Sequence, residues 1–224
     1  MTDDRSQAPR DHALPPAEGG AGAQSAPKRG TGRAAAGAPD LARELGRRAR
    51  AMRKAAGLTL EALAARSGVS RAMLSKVERG EKSPTLSVVT RIAGGLDVSL
   101  SALMGADPLP AGVAVRRAGE RPCFRDPETG FERHVLSPAN AGGDVELILH
   151  VIPPGVSSGV LPTYEGGVEK YLIVQEGRLS VYLGTVRHEL GVGDSFFFRI
   201  TEPYRFVNEG AQRCSYYCLI VSRP

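Results

Sequence analysis

The spacing of apolar residues along the chain changes once, from a helical period to a strand period. Between residues 41 and 105, apolar side chains recur every three or four positions, as they do on one face of an α-helix. Beyond residue 113, apolar runs such as VELILHVI, LSVYL and SFFFRI are separated by Gly, Pro, Asn and acidic turns at intervals of 8–12 residues. The pattern predicts a multidomain α-then-β chain, in which an all-α module precedes a β-sandwich or barrel.

Residues that favour helix starts divide the first half into five helical segments. We predict helices over about 41–56, 60–67, 71–80, 85–96 and 99–104. Asp40, Thr59 and Ser70 are predicted to cap the first three helices, Ser83-Pro84-Thr85 to open the fourth, and Ser99 to start the fifth. Gly57 and Gly80 follow two of these helices as stop signals. Five short helices of this kind predict one compact helical domain.

The composition of the flanking stretches sets the domain boundaries. Residues 1–39 contain ten Ala, six Gly and five Pro. Such a segment buries too little apolar surface to offset the entropy lost on ordering. We therefore predict a disordered tail over 1–39, a helical domain over 40–105, a linker over 106–112 and a β domain over 113–224.

Positive charge is concentrated in the helical domain. The whole chain has a net charge of +5, but residues 41–82 alone carry eleven basic and four acidic side chains. Residues 1–40 are neutral, and residues 106–224 carry twelve basic against fourteen acidic side chains. A local excess of +7 predicts an anionic partner for the helical part.

Composition also excludes membrane and secretory classes. No stretch approaches the ~18 uninterrupted apolar residues of a transmembrane helix, and the N-terminus lacks the apolar core of a signal peptide. The three cysteines, Cys123, Cys214 and Cys218, are too few and odd in number for a disulfide framework. We expect a cytoplasmic protein of prokaryotic type, with reduced thiols and no membrane partner.

Residues 58–84, LTLEALAARSGVSRAMLSKVERGEKSP, have the pattern of two helices joined by a tight turn. Apolar positions suited to lock the two helices together are Ala62, Leu63, Val69, Leu74 and Val77. The second helix would then present Arg71, Ala72, Ser75 and Lys76 at its N-terminal end, where a recognition helix meets base edges. An arginine fork matches two acceptors of guanine.

The run GVSRAMLSKVERGEKSPTLSVVTRIAGGLDVSLSALM resembles the XRE-type (phage-repressor-like) helix-turn-helix family. The resemblance extends over about residues 41–105 and rests on Ser70, Leu74, Ser75, Glu78, Gly80 and Pro84. It implies sequence-specific binding to a double-stranded DNA operator as a two-fold homodimer. The residues expected at the DNA are Thr59, Ser70, Arg71, Ala72, Ser75, Lys76, Arg79 and Lys82.

The sequence allows two interpretations of the other basic side chains of the helical domain. Arg47, Arg48 and Arg53, together with Arg79 and Lys82, are candidates for phosphate contacts. Alternatively, some of them form ion pairs along a helix at i,i+4 spacing.

In the second half, YEGGVEKYLIVQEG and GDSFFFRITEPYRFVN resemble the two motifs of cupins, which are jelly-roll-like β-barrels, over about residues 113–222. At the family's metal-ligand positions this chain has Tyr164 and Gly166 (or Thr163 and Glu165), Lys170 and Tyr204. A lysine ammonium offers a metal no lone pair. We therefore expect no metal and no cofactor in this pocket.

The same substitutions predict a different use of the cupin pocket. A lysine flanked by phenol hydroxyls is suited to a small anion such as a carboxylate or sulfate. Glu165 or Glu169 is a candidate acceptor for an amine. The expected effector site comprises Tyr164, Glu165, Lys170 and Tyr204; alternatively, Lys170 pairs with a glutamate in a vestigial site.

Histidines and cysteines give weaker signals. His12, His134, His150 and His188 have no paired spacing and are interpreted as ordinary surface or core residues. Cys214 and Cys218 stand four apart, and hence on one face of a strand. They are either a redox or metal-sensing pair with Cys123 or small buried hydrophobes.

The sequence as a whole predicts a one-component transcriptional regulator, a repressor in the simplest mechanism, and not an enzyme. The helical domain binds DNA, and the cupin dimerises and senses a small molecule. Two alternatives remain open at this point. One is a catalytic cupin of the non-haem iron oxygenase type fused to the helix-turn-helix, and the other is an antitoxin-like module that binds a partner protein.

Overall fold

The computed structural model describes residues 38–106, 113, 115–138, 145–163 and 167–222. Most of the predicted tail and linker lies outside these ranges, so both remain predictions. Among the described residues, no helix is long and apolar enough to cross a membrane.

The described part of the first half forms five α-helices, as predicted. They are α1 (Ala38–Ala55), α2 (Leu60–Ser67), α3 (Arg71–Glu78), α4 (Leu86–Gly95) and α5 (Leu100–Leu103). The prediction for Asp40 was wrong, because α1 begins two residues before it. Pro39 lies in this first turn, where its missing N–H has no intrahelical partner to lose. The predicted end of α3 was also late, since the helix ends at Glu78 and Gly80 has a left-handed φ of 69°.

Side-chain caps begin α2, α3 and α5. Thr59 Oγ1 accepts a hydrogen bond from the Ala62 N–H at 3.0 Å, and Ser70 Oγ accepts one from the Met73 N–H at 3.3 Å. Ser99 caps α5 in the same way. Each cap satisfies an otherwise unpaired N–H group and fixes where its helix begins. The start of α3 is therefore set by its own sequence.

The helices enclose an apolar core that holds α3 against α1 and α2. Its most buried side chains in α2 and α3 are Leu63, Leu74 and Val77. Gly46 of α1 lies directly against α3, since a Cβ at this position would collide with the Val77 carbonyl oxygen. Close approach of α1 and α3 thus requires a glycine at position 46.

A buried ion pair joins α1 to α3. The Arg53 Nε and Nη2 atoms contact the two carboxylate oxygens of Glu78 at 2.6 and 2.8 Å. Arg53 Nη1 also donates to the Leu58 carbonyl oxygen at 2.7 Å. Both side chains of the pair are nearly inaccessible, at 11% and 6% exposure. Arg53 therefore orients the recognition helix from behind, and nothing in this geometry turns it toward a DNA phosphate.

The described strands form two antiparallel sheets. The strands are β1 (Cys123–Arg125), β2 (Glu132–Val135), β3 (Val145–Ile152), β4 (Val168–Glu176), β5 (Leu179–Leu183), β6 (Val186–Leu190), β7 (Ser195–Arg199), β8 (Tyr204–Val207) and β9 (Cys214–Ser222). One sheet has six strands in the order β1-β2-β3-β9-β4-β7, and the other has three in the order β6-β5-β8. A short 3₁₀ turn, Ala118–Glu120, precedes β1.

The two sheets face each other across a shared interior. The Phe206 ring of β8 lies 5.3 Å from the Tyr216 ring of β9, measured between centroids. Alternate residues of the six-stranded sheet point into this interior, among them Ile148, Leu172 and Cys218, all of which are buried. The remaining positions form the outer face of the sheet. The second half is thus a β-rich domain with its own core, as the strand pattern predicted.

The helical and β domains meet at a junction built from α4 and the turn between β1 and β2. Asp126 Oδ2 accepts a hydrogen bond from the Leu86 N–H, at the start of α4, at 2.8 Å. Thr85 makes no side-chain cap there, so a residue 40 positions away in sequence supplies it. The Ser87 hydroxyl donates to the Val160 carbonyl oxygen at 2.9 Å. These contacts attach the helical domain directly to the β domain.

We expect replacement of Arg53 by Met to destabilise the helical domain rather than weaken a DNA contact. The change leaves the Glu78 carboxylate buried without its partner, which costs about 3–5 kcal/mol. Urea denaturation followed by circular dichroism measures the loss. Arg47→Ala is the matched control, because the Arg47–Glu44 pair is exposed and screened by solvent, so its loss should change stability little.

A double variant, Arg53→Met with Glu78→Leu, should recover most of the lost stability because it leaves no buried charge unpaired. If Arg53→Met unfolded like the unsubstituted protein but bound DNA with a weaker salt dependence, Arg53 would be a phosphate contact.

Candidate nucleic-acid interface and candidate effector site

The N-terminal half of α3 presents the side chains that the sequence assigned to base reading. Arg71, Ala72 and Lys76 are exposed, and Ser75 is half-buried. Arg71 and Ser75 are four positions apart, as are Ala72 and Lys76, and Ala72 and Ser75 are three apart, so the four side chains share one broad face of the helix. The buried face of the same helix carries Leu74 and Val77. The folded domain therefore displays this set outward.

Arg71 is held loosely at the surface. Its Nε lies 2.5 Å from Glu61 Oε1 at the start of α2, and both side chains are about two-thirds exposed. An ion pair between two exposed side chains is screened by solvent and contributes little to stability. The guanidinium can exchange Glu61 for a stronger partner at little cost.

The two capping hydroxyls lie beside this face. Thr59 and Ser70 are exposed and use an oxygen lone pair to cap α2 and α3. A hydroxyl that accepts one hydrogen bond keeps its own O–H for donation. Ser70 is consequently able to cap α3 and contact a phosphate at the same time.

Arg79 and Lys82 follow α3 and form ion pairs in the protein itself. Arg79 Nε lies 2.5 Å from Glu81 Oε1, and its Nη1 contacts the Ser75 hydroxyl. Lys82 Nζ lies 3.7 Å from Glu128 of the β1–β2 turn. All of these charged side chains are about half exposed. Lys82 thus stands at the border between the two domains.

The other basic residues that were candidates for phosphate contacts form ion pairs or hydrogen bonds within the helical domain. Arg47 and Arg48 both pair with Glu44, at i,i+3 and i,i+4 spacing. Arg48 also donates to the Met104 carbonyl oxygen. Together with the buried Arg53, these residues favour the ion-pair interpretation over phosphate contact.

Two residues of the predicted effector site meet inside the β domain. Lys170 of β4 and Tyr204 of β8 are both buried, and the Lys170 ammonium lies 5.4 Å from the centre of the Tyr204 ring. Within the described residues, Lys170 forms no ion pair. Burial raises the pKa of Tyr204 far above its ordinary value, so its hydroxyl keeps its proton. The prediction that these two side chains converge agrees with their positions.

The remaining predicted effector residues are not in this interior. Tyr164 and Glu165 lie outside the described residues. Glu169 is on the opposite, outer side of β4, where its carboxylate pairs with Arg199 at 2.7 Å. It is therefore wrongly placed to receive an amine inside the domain, because successive strand residues point to opposite faces.

The sequence analysis did not assign three polar side chains of this interior to a functional site. Arg133, His150 and Tyr216 lie in register across β2, β3 and β9. Arg133 Nη1 contacts His150 Nε2 at 3.3 Å, and His150 Nδ1 contacts the Tyr216 hydroxyl at 2.8 Å. Because a guanidinium only donates, Nε2 is the acceptor and Nδ1 carries the hydrogen.

This arrangement keeps the imidazole neutral and leaves a donor free. Burial, followed by the charges of Arg133 and Lys170, lowers the pKa of His150 well below its ordinary value. Burial likewise raises the pKa of Tyr216, whose oxygen accepts from His150. The Tyr216 O–H is thus available to donate into the interior.

Glu146 completes the interior cluster and leaves two polar atoms unpaired. Arg133 Nη2 lies 2.9 Å from Glu146 Oε2 and 3.4 Å from the Ser101 hydroxyl of α5. Among the described residues, Arg133 Nε and Glu146 Oε1 are buried without a hydrogen-bond partner. Buried polar atoms are rarely left unpaired. A signal was present in the sequence, since VELILHVI carries its two polar residues four apart on the inward-facing side.

The cysteines do not form one group. Cys214 and Cys218 are fully buried on the inner face of β9, and burial raises the pKa of Cys214 to about 11. Cys123 lies on the outer face of β1. The structure therefore favours buried apolar roles for the pair on β9 and separates them from Cys123.

Comparison with known proteins agrees with this two-part arrangement. A helix-turn-helix family model (HTH_3) matches residues 50–103, and a cupin-domain model (Cupin_2) matches residues 148–220. The chain is 28% identical over 184 residues to the HTH-type transcriptional regulator SutR of Escherichia coli. That alignment covers 81% of this chain and 96% of SutR, so it includes both domains.

Solved structures extend the comparison. The HTH_3 family transcriptional regulator from Vibrio cholerae matches with a TM-score of 0.69 and 25% identity, covering 83% of this chain and 99% of that one. Hydroxypropylphosphonic acid epoxidase from S. wedmorenis matches at a TM-score of only 0.41 and 21% identity, covering 80% and 97%. The chain thus carries an XRE-type helix-turn-helix domain followed by a C-terminal cupin domain, and its homologues with this arrangement are HTH-type, DNA-binding transcriptional regulators.

Proposed function

We propose that this DNA-binding regulator is a repressor that reads its operator with α3 and binds a small anion inside its cupin domain. The observation that carries the proposal is the pairing of two surfaces in one chain. An exposed polar helix end lies on the basic domain, and the β interior to which that domain is attached holds Lys170, which forms no ion pair with any residue that the structure describes.

At the DNA, the proposed roles divide by position on α3. Arg71, Ala72, Ser75 and Lys76 face the base edges in the major groove. Thr59, Ser70, Arg79 and Lys82 contact phosphates and set the register. Phosphate contacts of this kind give affinity that falls with salt but little choice of sequence.

In the cupin domain, the proposed ligand is a small carboxylate or similar anion. Lys170 is 4% exposed and has no carboxylate beside it within the described residues. A buried cation without a partner is costly, and a bound anion offsets that cost. The Tyr204 and Tyr216 hydroxyls add donors, and the unpaired Glu146 oxygen supplies an acceptor for an ammonium group. Amino acids are therefore part of the proposed ligand class, together with the predicted contacts at Tyr164 and Glu165.

The path from ligand to DNA runs through the contacts between the domains. Arg133 reaches the Ser101 hydroxyl of α5, and Asp126 holds the start of α4. A ligand that rearranges Arg133 alters the support of the helical domain. The operator affinity changes by the difference in ligand binding free energy between the two arrangements, and by no more.

We propose the outer face of the six-stranded sheet as the homodimer interface. Leu147, Leu219, Tyr171 and Phe197 lie in one row across four strands, and Tyr217 and Ile173 lie in the next. Five of these six side chains are 36–53% exposed. Contiguous exposed apolar patches of this kind mark association surfaces in soluble proteins. A second copy provides the same apolar face across a two-fold axis.

Catalysis by the cupin is not part of the proposal. A lysine ammonium and a neutral phenol occupy the positions where metal-dependent cupins hold their ligands, and neither suits a metal ion at neutral pH. The closed barrel, the cytoplasmic location and the boundaries of the four segments remain predictions from the sequence.

Replacing Arg71 by Ala should remove operator preference. A bidentate contact from arginine to guanine contributes about 1–3 kcal/mol of discrimination. The test selects duplexes from a random library with the unsubstituted protein, then compares the Kd of the selected and a scrambled duplex for each variant. The ratio of the two Kd values should fall about ten-fold or more for Arg71→Ala.

Two control variants distinguish base-specific recognition from sequence-independent electrostatic attraction to DNA. Lys82→Ala should weaken binding to both duplexes equally, and Arg66→Ala, which removes an exposed arginine of α2, should leave the ratio unchanged. An equal loss on both duplexes for Arg71→Ala would assign Arg71 to the phosphates instead.

Placing a charge on the outer face should separate the dimer. Ile173→Lys introduces an ammonium at the centre of the apolar patch, where a partner would bury it without compensation. Sedimentation equilibrium should then give the mass of one chain. Val186→Lys, at an equally exposed position on the three-stranded sheet, should leave a dimer. A dimer in both variants would move the interface elsewhere.

Removing the Lys170 charge should abolish the response to ligand without harming the fold. In a thermal-shift screen with small carboxylates, sulfate and amino acids, a ligand at 100 times its Kd stabilises the protein by about 2.7 kcal/mol. Lys170→Met should lose that shift and melt no lower than the unsubstituted protein, because it no longer buries an unpaired charge. An unchanged shift in Lys170→Met would exclude Lys170 from the site.

A further inference from the structure

Cys123, Glu132 and His134 lie side by side on the outer face of the β1–β2 hairpin. Cys123 and His134 are directly opposite each other in the antiparallel register. Cys123 Sγ lies 3.7 Å from His134 Nε2, which in turn lies 2.8 Å from Glu132 Oε2. All three ligand atoms fall within 4.8 Å of one another, and all three residues are half-buried. Neither the proposed DNA surface nor the proposed effector site uses them.

The spacing of these atoms is close to that of a tetrahedral metal site. With zinc bonds of about 2.3 Å to sulfur and 2.0–2.1 Å to nitrogen or oxygen, tetrahedral ligands are about 3.5 Å apart for S and N. The observed 3.7 Å differs by only a few tenths of an ångström. The nitrogen–oxygen pair must open by about half an ångström from its present hydrogen bond. Both carrier strands already fix the three side chains on one face.

We propose that Cys123, Glu132 and His134 form a binding site for a divalent transition metal of the zinc type, with solvent at the fourth position. Thiolate, imidazole and carboxylate are the ligands that zinc takes in proteins. One thiolate and one carboxylate neutralise the two positive charges of the ion. Arg125 approaches Glu132 through the other oxygen, Oε1, at 3.7 Å, so Oε2 stays free for the metal.

Loading the site moves two protons. A cysteine binds a metal as the thiolate, so the Cys123 thiol gives up its proton when the site is loaded. Binding releases that proton to solvent as the sulfur–metal bond forms. His134 Nε2 donates to Glu132 in the metal-free protein, and its hydrogen must leave so that Nε2 can bind the ion, with Nδ1 carrying the hydrogen of the neutral ring. Metal affinity therefore rises with pH.

The site lies on the hairpin that contacts the helical domain. The three ligands join the two strands of one hairpin, and the turn of that hairpin carries Asp126, which caps α4. Cys123 also lines a small cleft with Leu45 and Met104 of the helical domain. A bound metal thus cross-links the hairpin that supports the DNA-binding module.

The test uses the untagged full-length protein and Co²⁺ as a spectroscopic probe. Titration should produce a sulfur-to-cobalt charge-transfer band and visible bands of tetrahedral intensity, saturating at one ion per chain and removed by one equivalent of Zn²⁺. Cys123→Ser should lose the sulfur band. His134→Gln should lower Co²⁺ affinity by more than about a hundred-fold, since even groups that only orient a ligand contribute ten- to a hundred-fold.

Matched variants elsewhere keep the result interpretable. His188→Gln and Cys218→Ala should bind Co²⁺ like the unsubstituted protein, with folding checked by circular dichroism. The proposal is overturned if the unsubstituted protein gives no sulfur band. It is equally overturned if Cys123→Ser and His134→Gln, both folded, retain the same spectrum and affinity.

Discussion

The structure depends on one shared carboxylate, that of Asp126. Its Oδ2 caps α4 of the helical domain, while its Oδ1 accepts from the Glu128 and Thr129 N–H groups and shapes the β1–β2 turn. Asp126 is 4% exposed, so this is a buried polar contact that neither domain can satisfy alone. This contact fixes the position of α4, and of the helices α2 and α3 that pack with it, relative to the β-sheet.

The interior of the β domain contains charged side chains whose polar atoms are incompletely paired. Arg133 and Glu146 pair in the interior, yet among the described residues each retains one unpaired buried atom, and the Lys170 ammonium lies against the Tyr204 ring without forming an ion pair. A core built for stability alone would replace these groups by apolar side chains of similar volume. On the proposed function, a bound ligand completes these polar groups. The same reasoning separates this interior from Cys214 and Cys218, which pack as small apolar groups.

Local rules explain what the sequence could predict. The recognition face around Arg71 was predictable because Ser70 caps its helix and four residues define one helix turn. Long-range register explains what it could not. Cys123 and His134 are 11 residues apart and become neighbours only through the pairing of β1 with β2. Asp126 reads in the sequence as an ordinary turn residue of DPETG, and Arg53 reads as one more surface arginine, because the partners of both come from distant helices. The short strands β1, β2 and β6 lack a long apolar run, so the pattern of alternation passes over them.

If the exposed apolar rows on the six-stranded sheet form the proposed homodimer interface, they connect the amount of protein in the cell to its activity. On the proposed interface, two chains must meet before two recognition helices can engage one operator together. Operator occupancy then rises more steeply than protein concentration at low copy number, because the dimer fraction and the bound fraction increase together. The rate at which the chain is synthesised and degraded becomes a second input beside the effector. A gene under such control responds to a threshold in regulator abundance.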